Sequence, residues 1–236
     1  VIGIKDFSDP SLRRLLRSKR QVALIPVGSL EQHGPHLPLS VDSDIVSEVA
    51  RRVAKRCNLL LFPTITYGVS FEHAPFFNLS ISAKTLQKLL TELCLSLAQN
   101  KIYRVIILNG HHGNQKPLKA LESKISKLTG RKIKVFVFSY WHFMRREFDH
   151  AGFVETSLML AISNKASMKL AKKGLIPDKL TPIQRVKISK LASSHFIKAT
   201  KSGVWGDPTK ATKKEGNKIL LEIVQNITKT VSKLAY

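Results

Sequence analysis

Apolar residues along the chain fall into two kinds of pattern: short unbroken runs, and longer stretches in which they recur every three or four positions. Residues 22–27, Val-Ala-Leu-Ile-Pro-Val, form an unbroken run that stops at Gly28, as expected of a strand buried on both faces of a parallel sheet. Residues 59–65, 102–108 and 133–138 read as further strands of the same kind. Between them the period changes to that of a helix. Leu12, Leu15 and Leu16 mark a short basic helix over 11–20, capped by Ser11. Ile45, Val46, Val49 and Val53 mark one over 43–57, and Leu86, Leu89, Leu90, Leu93 and Leu97 mark the buried side of one over 84–100. A helix over 117–129 and an apolar helix through Leu158, Met159, Leu160 and Ile162 follow. Residues 183–188 read as a further strand and 193–207 as a loop. Asp207-Pro208 opens a terminal helix buried through Ile219, Leu220, Ile223, Val224, Ile227 and Val231. Segments 67–78 and 139–148 carry no sustained period and read as long loops, a length often tied to function. Strands alternating with helices predict an α/β fold, a three-layer α/β/α arrangement with a mostly parallel central sheet, in a single domain over 1–236.

Composition adds constraints. The chain of 236 residues is 43% hydrophobic, enough for a core without disulfide staples. Its formal charge of +23 invites a nucleic-acid reading. The cations, however, are dispersed at solvent-facing helical spacings over 13–20, 51–56, 165–190 and 198–218, which argues against a recognition surface. A positive chain can still attract a phosphorylated small substrate. Cys57 and Cys94 are too few for a disulfide framework, and no long apolar run or leader-like segment stands out, so a soluble cytoplasmic protein with no membrane association is expected.

One window departs from the basic background. No Lys or Arg occurs from Gln21 to Ala50, yet Glu31, His33, His36, Asp42 and Asp44 crowd just beyond the first long strand. Open α/β sheets bind ligands at that end of their strands. The strand over 102–108 runs likewise into Asn109-Gly110-His111-His112-Gly113-Asn114, and His150 and Glu155 gather at a helix start. Glu31 and His33, two residues apart at an extended strand end, project from one face. With Asp42 and His111 they form a mixed oxygen and nitrogen set suited to zinc, manganese or iron rather than calcium. Two such ions bridged by a carboxylate generate a hydroxide at neutral pH and polarise a carbonyl, and Asp42 is the natural bridge. Helix capping explains a single Asp at 42–44, but not three such clusters together.

The segments Glu31-Gln32-His33-Gly34-Pro35-His36-Leu37-Pro38 with Asp42, Asn109-Gly110-His111-His112-Gly113-Asn114, and His150-Ala151-Gly152 with Glu155-Thr156-Ser157 resemble the signatures of the creatininase family of metal-dependent amidohydrolases. The resemblance implies a dinuclear centre of two divalent ions, hydrolysis of a non-peptide amide C–N bond by a metal-bridging hydroxide, and a homo-oligomer, commonly a hexamer. Carried over, Glu31 and His111 bind one ion, His33 the other, and Asp42 both. Glu155 is a further ligand or acid/base, and His150 protonates the leaving nitrogen or stabilises the oxyanion. Creatinine-hydrolysing members carry a glutamate where this chain has Gly113, and a tryptophan-rich lid where it has only Trp141 and Trp205. His112 replaces a family glycine, and Phe76-Phe77-Asn78-Leu79 departs from the family's loop. Gly113 resembles the type that deformylates a formamidopyrimidine nucleotide, which makes that the expected substrate, ahead of creatinine. The reading from another class is a catalytically idle basic protein that binds nucleic acid or a protein partner.

Overall fold

The computed structural model describes residues 2–18 and 21–234. Its centre is an all-parallel sheet of five strands in the order β1-β3-β2-β4-β5: β1 Ile2–Gly3, β2 Val22–Val27, β3 Leu60–Leu61, β4 Arg104–Asn109 and β5 Lys134–Ser139. Every residue of β2 is buried, as its unbroken apolar run requires. Successive residues of β2 and β4 point to opposite faces. Leu24, Ile106 and Leu108 join one core with α2 (Val41–Cys57), α6 (Phe153–Ile162) and α9 (Lys213–Leu234). Ala23, Ile25, Val105 and Ile107 join the other with α3 (Ala83–Gln99) and α5 (Leu121–Leu128), against which Leu12, Leu15 and Leu16 of α1 (Asp9–Ser18) also pack. Helices thus cover both faces of the sheet, the expected three layers.

The chain leaves β2 toward β3 on one side and β4 toward β5 on the other, so the sheet changes direction between β2 and β4. The two strands pair in register from Val22 opposite Arg104 to Val27 opposite Asn109. The crevice beyond their carboxyl ends is where such sheets take ligands.

Local differences from the sequence reading have physical causes. The stretch over 183–188 is helical: α7 spans Pro182–Ala192, started by Thr181, whose hydroxyl accepts from the Gln184 backbone while the Gln184 side chain accepts from the Thr181 N–H. Ile183 and Val186 are 82% and 72% exposed, so the apolar residues that mimic a strand there are not core. Leu89 and Leu93 of α3 lie on the exposed side, and Thr91 and Cys94 share the buried face with Leu86, Leu90 and Leu97. The segment over 59–65 contributes only Leu60–Leu61 and an isolated bridge from Ile65 to Val27. Residues 117–129 hold two helices, α4 (Gln115–Lys119) and α5. The 193–207 segment contains α8 (Phe196–Thr200), and α9 begins at Lys213, after a separate turn at Pro208–Lys210. α1 begins at Asp9 rather than at Ser11, and Lys19 and Arg20 fall outside the described residues. Among the described residues no helix is long and apolar enough to cross a membrane.

Candidate metal centre

Two glycines bring the ends of β2 and β4 against the start of α2. A Cβ on Gly28 would sit 2.7 Å from the Ser43 Cα, and one on Gly110 would sit 2.6 Å from the Asp42 carbonyl oxygen. Only bare backbone permits that approach. It sets Asp42, in the first turn of α2, between Glu31 and His33 from the segment after β2 and His111 from the segment after β4. Glu155 enters from the first turn of α6, where the helix dipole also favours an anion. Capping does not account for Asp42: Ser40 holds the cap position, and Asp44 is engaged by the Ser40 hydroxyl and Lys165.

The side chains converge tightly and are almost fully buried. Glu31, His33, Asp42, His111 and Glu155 are all at most 3% exposed. His33 Nε2 stands 3.4 Å from Asp42 Oδ1 and 3.6 Å from Glu155 Oε2, and His111 Nδ1 stands 3.2 Å from Asp42 Oδ2 and 3.3 Å from Glu31 Oε1. The opposite nitrogen of each imidazole is spoken for by a backbone carbonyl. His33 Nδ1 donates to Glu31 O at 3.1 Å, and His111 Nε2 donates to Val69 O at 2.9 Å. Those bonds fix the tautomers that leave a lone pair aimed at the carboxylates, the arrangement a ligating histidine needs.

The donor set fits divalent metal ions. His33 Nε2, Asp42 Oδ2 and Glu155 Oε1 are buried without a hydrogen-bond partner, a costly state for polar atoms unless a ligand satisfies them. Glu31, Asp42 and His111 form one group able to hold an ion, His33, Asp42 and Glu155 form another, and Asp42 belongs to both. A third group joins Glu31, His33 and His150. The electrostatics show how strongly these carboxylates draw positive charge. Burial alone depresses the histidines, yet the carboxylates outweigh it: Asp42 and Glu155 bring His33 to about 9, and Glu31 and Asp42 bring His111 to about 10. Burial raises the Glu155 carboxyl to about 8, against the pull of His33, whereas His33 and His111 hold Asp42 below its usual range despite burial.

His150 packs its ring 4.3 Å from that of His33, with its Nε2 3.1 Å from both the side-chain nitrogen and the carbonyl of Gln32. Burial and the neighbouring imidazoles push its pKa well below the ordinary value. The sequence reading did not single out His73. Its Nε2 lies 3.0 Å from Glu31 Oε1, and its Nδ1 accepts from the Gln32 amide at 2.9 Å. The chain belongs to the creatininase family. The family model, described as creatinine amidohydrolase, matches residues 5–231. The mycofactocin precursor peptide peptidase of Mycobacterium ulcerans is 34% identical over 226 residues, covering 89% of this chain and 84% of that protein. The creatinine amidohydrolase of Pseudomonas putida is 30% identical over 60% of this chain and 64% of its own. The creatininase fold is matched by a crystal structure of creatinine amidohydrolase at a TM-score of 0.80 and 23% identity, with 98% of this chain and 97% of that one covered. Creatininase structures of similar likeness are described as manganese and zinc-zinc forms, so these neighbours hold metal.

A cavity of about 430 Å³ opens over the cluster. Trp141, Phe148, Phe196 and Trp205 supply its apolar wall, with Trp141 and Phe148 stacked at 4.6 Å between ring centres. Its charged lining is acidic, through Asp42, Glu72, Glu147 and Asp149, and among the described residues no Lys or Arg faces it. The high positive charge of the chain therefore lies elsewhere.

Proposed function

We propose that this creatininase-family hydrolase cleaves the C–N bond of a peptide or peptide-like amide, using two divalent ions per chain. The observation that carries the reading is the pair of buried donor groups sharing Asp42, in which His33 Nε2, Asp42 Oδ2 and Glu155 Oε1 have no hydrogen-bond partner. Glu31, Asp42 and His111 would hold one ion and His33, Asp42 and Glu155 the other, which makes Glu155 a ligand rather than a free acid. When bound, such ions supply a water of lowered pKa and a polarised carbonyl, so no protein nucleophile is required. His150 lines the cavity and is held by Gln32, placed to stabilise the developing oxyanion or to pass a proton to the leaving nitrogen. Enclosure by Trp141, Phe148 and Phe196 shields the reacting bond from bulk water.

Four substrates are named among the relatives: a precursor peptide, creatinine, a formylaminopyrimidine nucleotide and 3-dehydro-scyllo-inosose. The mycobacterial proteins, named for a precursor peptide, match most of both chains, whereas the formylaminopyrimidine nucleotide deformylase of Methanosphaera stadtmanae is 32% identical over 66% of each. Beyond the proposed ions, a nucleotide phosphate in the cavity would meet Glu72, Glu147 and Asp149 and, among the described residues, no Lys or Arg. The aromatic wall suits an aromatic or aliphatic peptide side chain. These features support a peptide-like amide ahead of the nucleotide formamide and of creatinine. A hydrolysis screen of the zinc- or manganese-loaded protein against short aromatic peptides, creatinine and formamidopyrimidine nucleotide tests this. Turnover of the peptides is expected, and turnover of the nucleotide alone would overturn the assignment.

A further inference from the structure

Each acid on the cavity wall has a counterpart, with one exception. Asp42 belongs to the candidate metal centre, Glu147 is 3.2 Å from the Arg185 guanidinium, and Asp149 accepts from the Val154 and Glu155 backbone N–H groups. Glu72 differs. It sits in the turn Phe71–His73 of the long 67–78 segment, with its side chain only 17% exposed. The nearest cation-capable atom is His111 Nε2 at 3.8 Å, but the hydrogen on that nitrogen goes to Val69 O. Apart from its own backbone N–H, no described group donates to the Glu72 carboxylate. The carboxylate reaches this position because residue 113 is glycine: a Cβ there would lie 2.8 Å from Glu72 Oε1 and would collide with the Val69 carbonyl.

The same side chain stands where two cavities meet. A groove of about 1220 Å³ shares Glu72, His112, Gln115 and His142 with the cavity over the metal cluster. Glu72 is thus one of the residues that border both the cavity over the cluster and the groove. A largely desolvated carboxylate without a donor recognises an ammonium or guanidinium group, through a charge-assisted hydrogen bond. Trp141, Phe148, Phe196 and Trp205 line the same cavity as this carboxylate, and aromatic faces attract such a cation. Lys116 and Lys119, the cations nearest this path, line only the outer groove and are exposed.

We propose that Glu72 is a specificity-determining residue that binds a positively charged nitrogen of the substrate, so that the preferred amide carries an amine or guanidinium close to the scissile bond. This rests on the amidohydrolase reading given above and narrows its substrate class. It also disfavours an anion at that position, since a phosphate group placed there would face the Glu72 carboxylate.

The test compares wild-type and Glu72→Gln proteins, both metal-loaded, with benzylammonium and its neutral counterpart benzyl alcohol as binding probes in calorimetry. Wild type is expected to favour benzylammonium, and Glu72→Gln to lose about tenfold or more of that preference, the scale of a hydrogen bond to a charged group. Metal content and thermal stability are expected to stay unchanged. With a peptide amide bearing an amine, the variant should raise KM while leaving kcat nearly intact, and the uncharged analogue should show no change. Equal binding of the two probes by wild type, or a preference for benzylammonium that Glu72→Gln leaves unchanged, would overturn the proposal. So would loss of metal from Glu72→Gln, which would make it a ligand. Probe discrimination without any amide hydrolysis would instead count against the amidohydrolase reading and leave Glu72 as a cation site.

Discussion

The two carboxylate oxygens of Asp42 are divided between two imidazoles: Oδ2 lies 3.2 Å from His111 Nδ1, and Oδ1 lies 3.4 Å from His33 Nε2. A residue that capped a helix would turn one oxygen back to the backbone, and Asp42 does not. Its placement at the first turn of α2, below the β2 and β4 strand ends, makes it the hinge of the candidate centre.

His73 is expected to act through Glu31. With Nε2 3.0 Å from Glu31 Oε1 and Nδ1 held by Gln32, it orients a proposed ligand without joining either of the two groups that share Asp42. His73→Ala should lower metal affinity by about 10- to 100-fold, the usual cost of removing such a supporting partner. Competition with a chelator of known affinity measures this, and an unchanged constant would remove His73 from the account.

Protons and metal ions compete for the same atoms. In the metal-free chain His33 titrates near 9 and His111 near 10, above the ordinary 6.5. Their protonated forms therefore contribute stability that is complete below about pH 6.5 and is lost as pH rises through about 9 to 10. Metal must displace these protons, so binding at neutral pH should release them and affinity should rise with pH. Calorimetry in buffers of different ionisation enthalpy reads the release directly. A binding heat independent of buffer would contradict it.

Gly113 carries a structural demand of its own. An added methyl would press on the Val69 carbonyl, His111 Nε2 and Glu72, none of them free to move without disturbing the site. Gly113→Ala should destabilise the protein by about 1–3 kcal/mol, the range for overpacking, and weaken metal binding with it. Chemical denaturation and metal titration of the variant check both effects.

Much of this was legible in the residues. The unbroken run at 22–27 and the segment ending at Asn109 located the two central strands, and the acids and histidines just beyond them converge as their positions at strand ends implied. Glu31, His33, Asp42, His111, His150 and Glu155 were visible because each sits at an element boundary. His73 and Glu72 were not, because they come from a segment without period, where nothing local distinguishes a side chain turned inward from one in solvent. The irregularity of 67–78 was the available signal. The strand expected at 183–188 failed for a different reason. Ile183 and Val186 imitate a buried run, whereas the capping pair of Thr181 and Gln184, reinforced by Pro182, decides the backbone. Exposed Leu89 and Leu93 show the same limit, since a leucine-rich helix offers more apolar positions than one sheet face covers.

The most direct test is the metal content of the chain after loading with zinc or manganese and exhaustive dialysis, determined by plasma mass spectrometry for wild type and Asp42→Ala. The two donor groups that share Asp42 predict two ions per wild-type chain. In the variant, affinity should fall at both positions by more than the roughly 100-fold upper range for a supporting residue, leaving little or no metal. A wild-type chain that retains no metal, or an Asp42→Ala chain that retains both ions, would contradict the account.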